Sequence, residues 1–555
     1  MTYVVTQPCC ADASCVVACP VNCIHPAPGE PGFADAEMLF VDPGSCVGCG
    51  ACTTACPVGA IVPDTDLTPE QQPFLALNAA YFVDHPHPDR PPLAPVPPQR
   101  RLVRSRPVRV AVVGAGPAGM FTADELLTHP EISVDVLDRL PTPYGLVRHG
   151  VAPDHQHTKA VTDLFARIED QPGFRYRLGI EVGRDVSHEE LAQQYHAVVH
   201  AVGASGSRRL GVPGEDLPGS VSATDLVGWY NGHPDQPDLQ VPLDHERAVV
   251  VGNGNVALDV ARMLTASPAS LAATDVAGPA ETALSRSRIR EVVLLGRRGP
   301  SEAAFTVPEL LGLRALVEQG RLDVAVDTGG AALDPADPKA ALIGELAGSP
   351  RHDSVPRVVL RFRTSTVRIL GTDRVVGVEV VRDGRTEVIE SGLVVRAIGF
   401  RGSPVPGLPF DETTGTVPHD RGRVSPRTYV VGWIKRGPRG FIGTNRSDAR
   451  ETVTSILDDL DAGLPDPPLD PSPVLERAWG LADWRALDAE ERARGAAQAR
   501  PRTKLVDLAE MRRVMTDRRE PPRRRRARGT GWRSGYPAVR PRSRRRHRTR
   551  GTSGA

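Results

Sequence analysis

The sequence predicts an α/β protein in which two doubly wound domains follow a small α+β domain, and three observations predict it. All nine cysteines lie between Cys9 and Cys56. An apolar run, Val108–Val113, leads into Gly114-Ala115-Gly116-Pro117-Ala118-Gly119, and a second, Arg247–Val251, leads into Gly252-Asn253-Gly254-Asn255-Val256-Ala257. A helix-like stretch follows each glycine-rich loop, so a strand–loop–helix unit occurs twice.

A chain of 555 residues exceeds what one hydrophobic core organises. Its 40% hydrophobic and 24% charged residues exclude a fibrous or wholly disordered chain. The formal charge of zero conceals an asymmetry: residues 521–555 hold thirteen arginines and no acid, so the first 520 carry a formal excess of thirteen negative charges. The basic end, residues 515–555, cannot bury a core and is expected to be disordered. Arginine runs with Trp532 and Tyr536 interspersed also fit a nucleic-acid-binding tail, which salt-sensitive RNA binding would reveal. The start MTYVVTQPCC lacks the pattern of a secretory signal and no apolar run is long enough for a membrane span, so the expected location is cytoplasmic.

The cysteines serve one local purpose. Cys46-x2-Cys49-x2-Cys52-x3-Cys56-Pro57 has the spacing of an iron-sulfur cluster loop. Gly48 and Gly50 keep that loop free of bulky side chains, so backbone N–H groups can approach the cluster sulfides. Zinc and a disulfide pair are the alternatives, but structural zinc sites set two CxxC knuckles further apart. Upstream, Cys9-x5-Cys15-x3-Cys19-Pro20 resembles the first half of seven-iron and eight-iron bacterial ferredoxins. That resemblance implies a 4Fe-4S ferredoxin-type domain over residues 1–66 with crossed ligation. Cys46, Cys49, Cys52 and Cys19 would hold a 4Fe-4S cluster, and Cys9, Cys15 and Cys56 a second one of three or four irons. Cys10 or Cys23 could complete the second cluster, and the plainer reading of both is a small buried thiol.

Residues 67–106, with the proline-dense HPHPDRPPLAPVPPQRR, read as a linker between domains. In the first glycine-rich loop, the glycines at 114, 116 and 119 permit a tight turn, close approach of a pyrophosphate to the backbone, and close helix–strand packing. The next strand ends in Asp138, at the distance expected of a ribose-binding acid. In the second unit the strand Glu291–Leu295 ends instead in Gly296-Arg297-Arg298. Two guanidinium groups there suit a 2'-phosphate and favour NADP over NAD. Two Rossmann-like, dinucleotide-binding domains are therefore expected.

The segment Pro141-Thr-Pro-Tyr-Gly-Leu-Val-Arg-His-Gly-Val-Ala-Pro-Asp-His155 resembles a hallmark of the adrenodoxin-reductase-like NADPH:ferredoxin reductases. So do Gly252 to Arg262, Gly296 to Glu309 and Gly432 to Val453, and with the N-terminal module the chain resembles the actinobacterial reductases that carry their own ferredoxin. The resemblance implies an FAD domain over 107–204 and 403–500, interrupted by an NADPH domain over 205–402. It places FAD on Gly114, Ala115, Gly116, Pro117, Ala118, Gly119, Asp138, Leu146 and Arg148, and puts Trp433, Gly440, Phe441 and Ile442 around the flavin and nicotinamide. Asn253, Gly254, Asn255, Val256, Arg297, Arg298 and Glu309 would bind NADPH, and His155 and Asp259 are the candidates for proton handling. Asp138 stands where the family usually has glutamate, and Arg439 where it usually has threonine.

The reaction so implied is hydride transfer from NADPH to FAD, then single-electron transfer to the iron-sulfur clusters and on to a ferredoxin or haem monooxygenase, with the direction open. The small subunit of glutamate synthase also joins cysteine clusters to two nucleotide folds, but lacks the Gly145–His155 motif.

Overall fold

The computed structural model describes residues 1–87, 91–94, 100–103, 106–352 and 354–517. The cysteine-rich region is held by two antiparallel strand pairs, Tyr3–Val5 with Ile61–Pro63 and Ile24–His25 with Phe40–Val41. Two five-residue helices, Ser14–Ala18 and Ala51–Ala55, carry the cysteine loops. Val4, Val5, Ile24, Leu39, Val41 and Ala60 are buried between these pieces.

Part of the expected linker is structured. Within 67–106 lies a twelve-residue helix, Pro73–Asp84. Proline at its first turn followed by Phe-Leu-Ala-Leu-Asn-Ala-Ala-Tyr favours helix, and the proline-dense stretch begins only at Pro86. Buried Asn78 docks this helix on the cysteine-rich core: its Oδ1 accepts from the Val5 and Val41 N–H groups at 3.1 and 2.9 Å, and its Nδ2 donates to the Val5 carbonyl at 2.9 Å.

Two six-stranded sheets form the body. The first runs, in spatial order, Arg423–Ser425, Thr428–Val430, Ala197–His200, Val108–Val113, Ile132–Asp138 and Phe174–Leu178, parallel except for the first pair. Its strands come from both sides of the second sheet in sequence, so this domain is discontinuous. Helices Pro117–Leu127 and Thr444–Asp461 pack against it and against each other, over the Val108, Val110 and Val112 face, while Ala111 and Val113 pack on the other face with Ile180, Leu191 and Leu475, so the central strand is buried on both faces from Val110 onward.

The second sheet is parallel throughout: Ser220–Ser222, Leu393–Arg396, Arg247–Val251, Glu291–Leu295, Arg357–Arg361 and Asp323–Asp327. An antiparallel meander over residues 365–390 accompanies it. Where the chain passes between the sheets, Gly206–Ser207 pairs antiparallel with Phe400–Arg401, so the two crossings brace each other.

Helix Leu481–Ala496 and helix Leu508–Asp517 pack together, burying Met511 and Met515. The second of these enters the stretch expected to be disordered. Residues 518–555, with the arginine runs, lie outside the described residues. Among the described residues no helix is long and apolar enough to cross a membrane.

Candidate functional site

Both glycine-rich loops leave the C-terminal edge of a parallel strand and open a helix, where free N–H groups and the helix dipole favour a phosphate. At the first, Gly114 has φ 112°, and a Cβ there would lie 2.4 Å from the Ala201 carbonyl oxygen. A Cβ on Gly119 would lie 1.9 Å from the Gly114 oxygen, so only glycine lets the helix sit this close. Gly116 faces open space: the nearest atom to a Cβ there is the Gly145 Cα, at 3.9 Å. This cradle fits a pyrophosphate. Asp138 closes it from the next strand, its Oδ2 accepting from the Ala115 N–H at 2.8 Å and its Oδ1 from the Leu140 N–H at 2.9 Å. Burial raises the Asp138 carboxyl above its ordinary value, and those two N–H groups oppose the shift.

Gly432, with φ 79°, brings the C-terminal motif against the same helix: a Cβ there would lie 2.6 Å from the Ala118 Cβ. Its N–H donates to Asp448 Oδ2 at 2.6 Å, and Asp448 is ion-paired with Lys435 and Arg436. Trp433 Nε1 donates to the Arg439 carbonyl at 3.1 Å, while Arg439 itself is exposed. Leu146 is partly exposed, whereas Arg148 points away into the protein: its guanidinium makes two bonds to buried Glu491, at 2.9 and 2.6 Å, and lies over the Trp484 ring. Among the described residues Arg148 is a clamp between segments rather than an open cofactor contact.

The second loop repeats the design. Gly252 has φ 126° against the Ala397 carbonyl, and Gly254 opens outward, with only the Ala304 Cβ within reach of a Cβ, at 3.8 Å. A Cβ on Gly296 would lie 2.5 Å from Asn253 Nδ2, so the segment bearing Arg297 and Arg298 abuts the loop directly. Both arginines are exposed, as a 2'-phosphate site requires.

His155, Asp259 and Glu309 are brought together around Arg262. The guanidinium donates to Glu309 Oε2 at 2.9 Å, Asp259 Oδ1 at 2.6 Å and Asp154 Oδ2 at 3.0 Å, and meets His155 Nε2 at 2.6 Å. Arg262 thereby fills the centre of a group that would otherwise resemble a cation site. Burial alone would raise Asp154, but Arg262 and His155 hold it at about 2. Burial pushes Asp259 up to about 6, with Arg262 and His155 opposing and Glu309 and Asp154 adding. Glu309, expected among the NADPH-binding residues, thus sits in the His155 group.

The cysteines divide between two places. Cys19, Cys46, Cys49 and Cys52 line one cavity, joined by Cys23, whose Sγ lies 3.4 Å from that of Cys19. Cys49 is exposed there. Cys9, Cys15 and Cys56 lie near one another with buried Cys10 and Asp12. Burial pushes the Cys9 thiol up to about 12, so a thiolate there needs a cationic partner such as iron. All nine cysteines are unpaired, and both groups fit iron-sulfur ligation better than a disulfide framework.

The loop carrying Cys9 and Cys10 rests directly on the Gly432–Val453 motif. The Gly443 N–H donates to the Cys10 carbonyl at 2.7 Å, and a Cβ on Gly443 would lie 2.1 Å from the Ala11 carbonyl carbon. Arg446 reinforces the contact through Ser14 Oγ at 2.9 Å and the Asp12 carboxylate at 3.7 Å. The cysteine-rich domain also reaches the second loop: Asn255 Nδ2 donates to Glu37 Oε1 at 3.0 Å. Oε2 of Glu37 is buried without a hydrogen-bond partner among the described residues. Burial pushes Glu37 up to about 8, with Glu309 and Asp259 adding and Thr306 and Asn255 opposing.

Neither Arg262 nor Glu37 stood out in the sequence. Arg262 ends the Gly252–Arg262 motif and its spacing from Asp259 gave a local hint, whereas nothing near Glu37 in the chain announces a contact with Asn255.

A family model described as pyridine nucleotide-disulphide oxidoreductase matches residues 108–295, and one described as 4Fe-4S binding domain matches residues 39–62. The chain is 48% identical to a probable ferredoxin/ferredoxin–NADP reductase of Mycobacterium tuberculosis, over 95% of this chain and 97% of that one. It is 38% identical to the human mitochondrial NADPH:adrenodoxin oxidoreductase, over 73% of this chain and 92% of the other. Among solved structures, Mycobacterium tuberculosis FprA in complex with NADPH superimposes with a TM-score of 0.70 at 40% identity, covering 74% of this chain and all of that one.

Proposed function

Since the chain belongs to the adrenodoxin-reductase-like NADPH:ferredoxin reductases, in the form that carries an N-terminal ferredoxin domain, we propose that its residues form one continuous electron path from nucleotide to protein surface. The enzyme is a flavoprotein NADPH:ferredoxin oxidoreductase with an FAD- and NADP-binding oxidoreductase body and a 4Fe-4S binding domain. FAD, when bound, supplies the conversion of a two-electron donor into the single electrons that iron-sulfur clusters carry.

The chain's own residues prepare that conversion. The Gly114–Gly119 cradle with Asp138 holds FAD, and the Gly252–Val256 loop with Arg297 and Arg298 holds NADPH, by N–H donation and charge. Arg262 fixes His155, Asp259 and Glu309, and burial raises the Asp259 carboxyl, which makes it and His155 the candidates for handling a proton. The observation that carries the path is the seating of the Cys9–Asp12 loop on Gly443, next to Gly440, Phe441 and Ile442. It makes the Cys9, Cys15 and Cys56 group the inner station. The Cys19, Cys46, Cys49 and Cys52 group is then the outer one, and exposed Cys49 and Val47 mark where a ferredoxin, or a haem monooxygenase, would take the electron. The cytoplasm, which keeps these thiols reduced, is the compartment we infer.

The test is an anaerobic titration with NADPH, with NADH as control, following flavin bleaching and the paramagnetic signals of the reduced clusters. Bleaching by NADPH followed by two distinguishable cluster signals supports the path; bleaching with no cluster signal breaks it at Gly443.

A second expectation concerns Glu37. Its carboxyl is neutral below about pH 8 and charged above, and the charged form stands at the loop that receives the nucleotide phosphates. Affinity for NADP+ should therefore fall as pH rises through that value. In Glu37→Gln the fall should vanish, leaving binding about fivefold tighter than wild type at about pH 9 and within about twofold at about pH 6.5. Calorimetric titration of NADP+ into the oxidised holoenzyme at both pH values checks this.

A further inference from the structure

A cavity of about 190 Å3 lies where three stretches of the chain meet. Its walls are the motif segment 144–148, the turn 156–163 and the C-terminal stretch 492–504, with Asp275 added from the chain between the two halves of the discontinuous domain. Gly114–Gly119, Asp138, Leu146 and Trp433 do not line it, nor does any cysteine, so it is separate from the nucleotide loops and the cysteine groups.

Arg148, Lys159, Arg492, Arg502 and Lys504 line the cavity, against Asp275 and the exposed Asp163. Two further carboxylates hold these cations from within the wall: Glu491 takes both arms of Arg148, and Asp488 accepts from Arg492 Nε at 2.7 Å. Five cations therefore meet four carboxylates, and one positive charge is unanswered. The shortage is greatest at the lysines. Asp275 serves both of them, with Lys159 Nζ 2.8 Å from its Oδ1 and Lys504 Nζ 3.0 Å from its Oδ2, and all three side chains are more than nine-tenths buried. Burial lowers both lysines from their ordinary value, with Asp275 opposing.

Arg502 has donors to spare. Its side chain is 16% exposed and bonds through Nη1 alone, to Asp488 Oδ1 at 2.7 Å and Glu491 Oε2 at 3.1 Å. Among the described residues its Nε and Nη2 have no hydrogen-bond partner, and these two parallel N–H groups form the guanidinium edge that grips a carboxylate by two bonds. Val147, Ala160 and Pro501 give the same cavity an apolar side. Its volume is that of on the order of six waters, at about 30 Å3 each, which is room for a benzene ring bearing one carboxylate.

We propose that this cavity binds a small organic carboxylate, a single negative charge on an apolar body, with the charge on the free edge of Arg502 and the body against Val147, Ala160 and Pro501. The carboxylate supplies the missing negative charge beside Lys159 and Lys504. Because the walls come from segments far apart in the chain, a ligand there ties them together and stabilises the folded body.

The experiment titrates benzoate and 3-methylbutanoate into the full-length holoenzyme in a calorimeter. Benzamide serves as the neutral match of benzoate, and inorganic phosphate as an anion with no apolar body. One of the carboxylates should bind once per chain and raise the thermal midpoint as its concentration rises. Benzamide and phosphate should bind about tenfold more weakly or worse. Arg502→Gln removes the charged edge, and Ala160→Leu fills the space while keeping every charge; each should weaken the carboxylate by about tenfold or more. Flavin content and circular dichroism establish that each variant is folded, and Ala160→Leu decides the matter alone where Arg502→Gln does not fold. Absence of binding by both carboxylates, or binding unchanged in Ala160→Leu, overturns the site. Benzamide binding as tightly as benzoate overturns the role given to the charge. Phosphate binding more tightly than either carboxylate overturns the apolar body in favour of a plain oxyanion.

Discussion

Replacing both Arg297 and Arg298 with alanine is expected to lower kcat/KM for NADPH by about two to three orders of magnitude and to leave NADH turnover nearly unchanged. On the proposed assignment each guanidinium would offer a charge-assisted bond to the 2'-phosphate, worth about 1.5–3 kcal/mol. Losing two such bonds removes about 3 kcal/mol or more, at about 1.4 kcal/mol per factor of ten. Both side chains are exposed and neither belongs to the Arg262 group, so folding should be unaffected. Steady-state kinetics with the two nucleotides measures the ratio. An equal loss with NADH would mean that the arginines shape the loop rather than read the phosphate.

The largest effect on stability is expected at Glu491. It is fully buried, receives both arms of Arg148, and also accepts from Arg502 at 3.1 Å and from the Leu505 N–H at 2.9 Å. Removing one partner of a buried pair strands the other's charge, so Glu491→Ala should cost about 3–5 kcal/mol. The pH dependence follows from the same contacts. Burial alone would raise the carboxyl, but Arg148 and Arg502 hold it below its ordinary value. Its contribution is therefore present above the ordinary carboxylate range and is lost as pH falls through the depressed value. Chemical denaturation at neutral and acid pH should show the gap between wild type and Glu491→Ala narrowing as pH falls. A gap independent of pH would assign the loss to packing instead.

What was legible in the chain is what local spacing carries. Both glycine-rich loops, the Arg297-Arg298 strand end and the division of the cysteines depend on residues a few positions apart, and the fold keeps each as a unit. The helix Pro73–Asp84 was hidden because the proline-dense segment after it coloured the whole stretch, although its own residues favour helix. Arg148 lies inside a motif of the family yet turns to Glu491, hundreds of residues away, a partner that local sequence does not reveal. Glu37 and Asn255 meet only because two domains touch, so their relation belongs to tertiary structure alone.

The seating of the cysteine loop on Gly443 has a consequence for kinetic order. An acceptor held by the chain itself is present at a fixed effective concentration, and the electron's first departure from the flavin is unimolecular. Its rate should ignore dilution and added salt, since no charged encounter precedes it. The next departure, proposed from the exposed Cys49 side, would be an encounter between separate proteins and keep the concentration and salt dependence of one. On the proposed path the enzyme would thus separate a step set by its own architecture from a step set by the abundance of its partner.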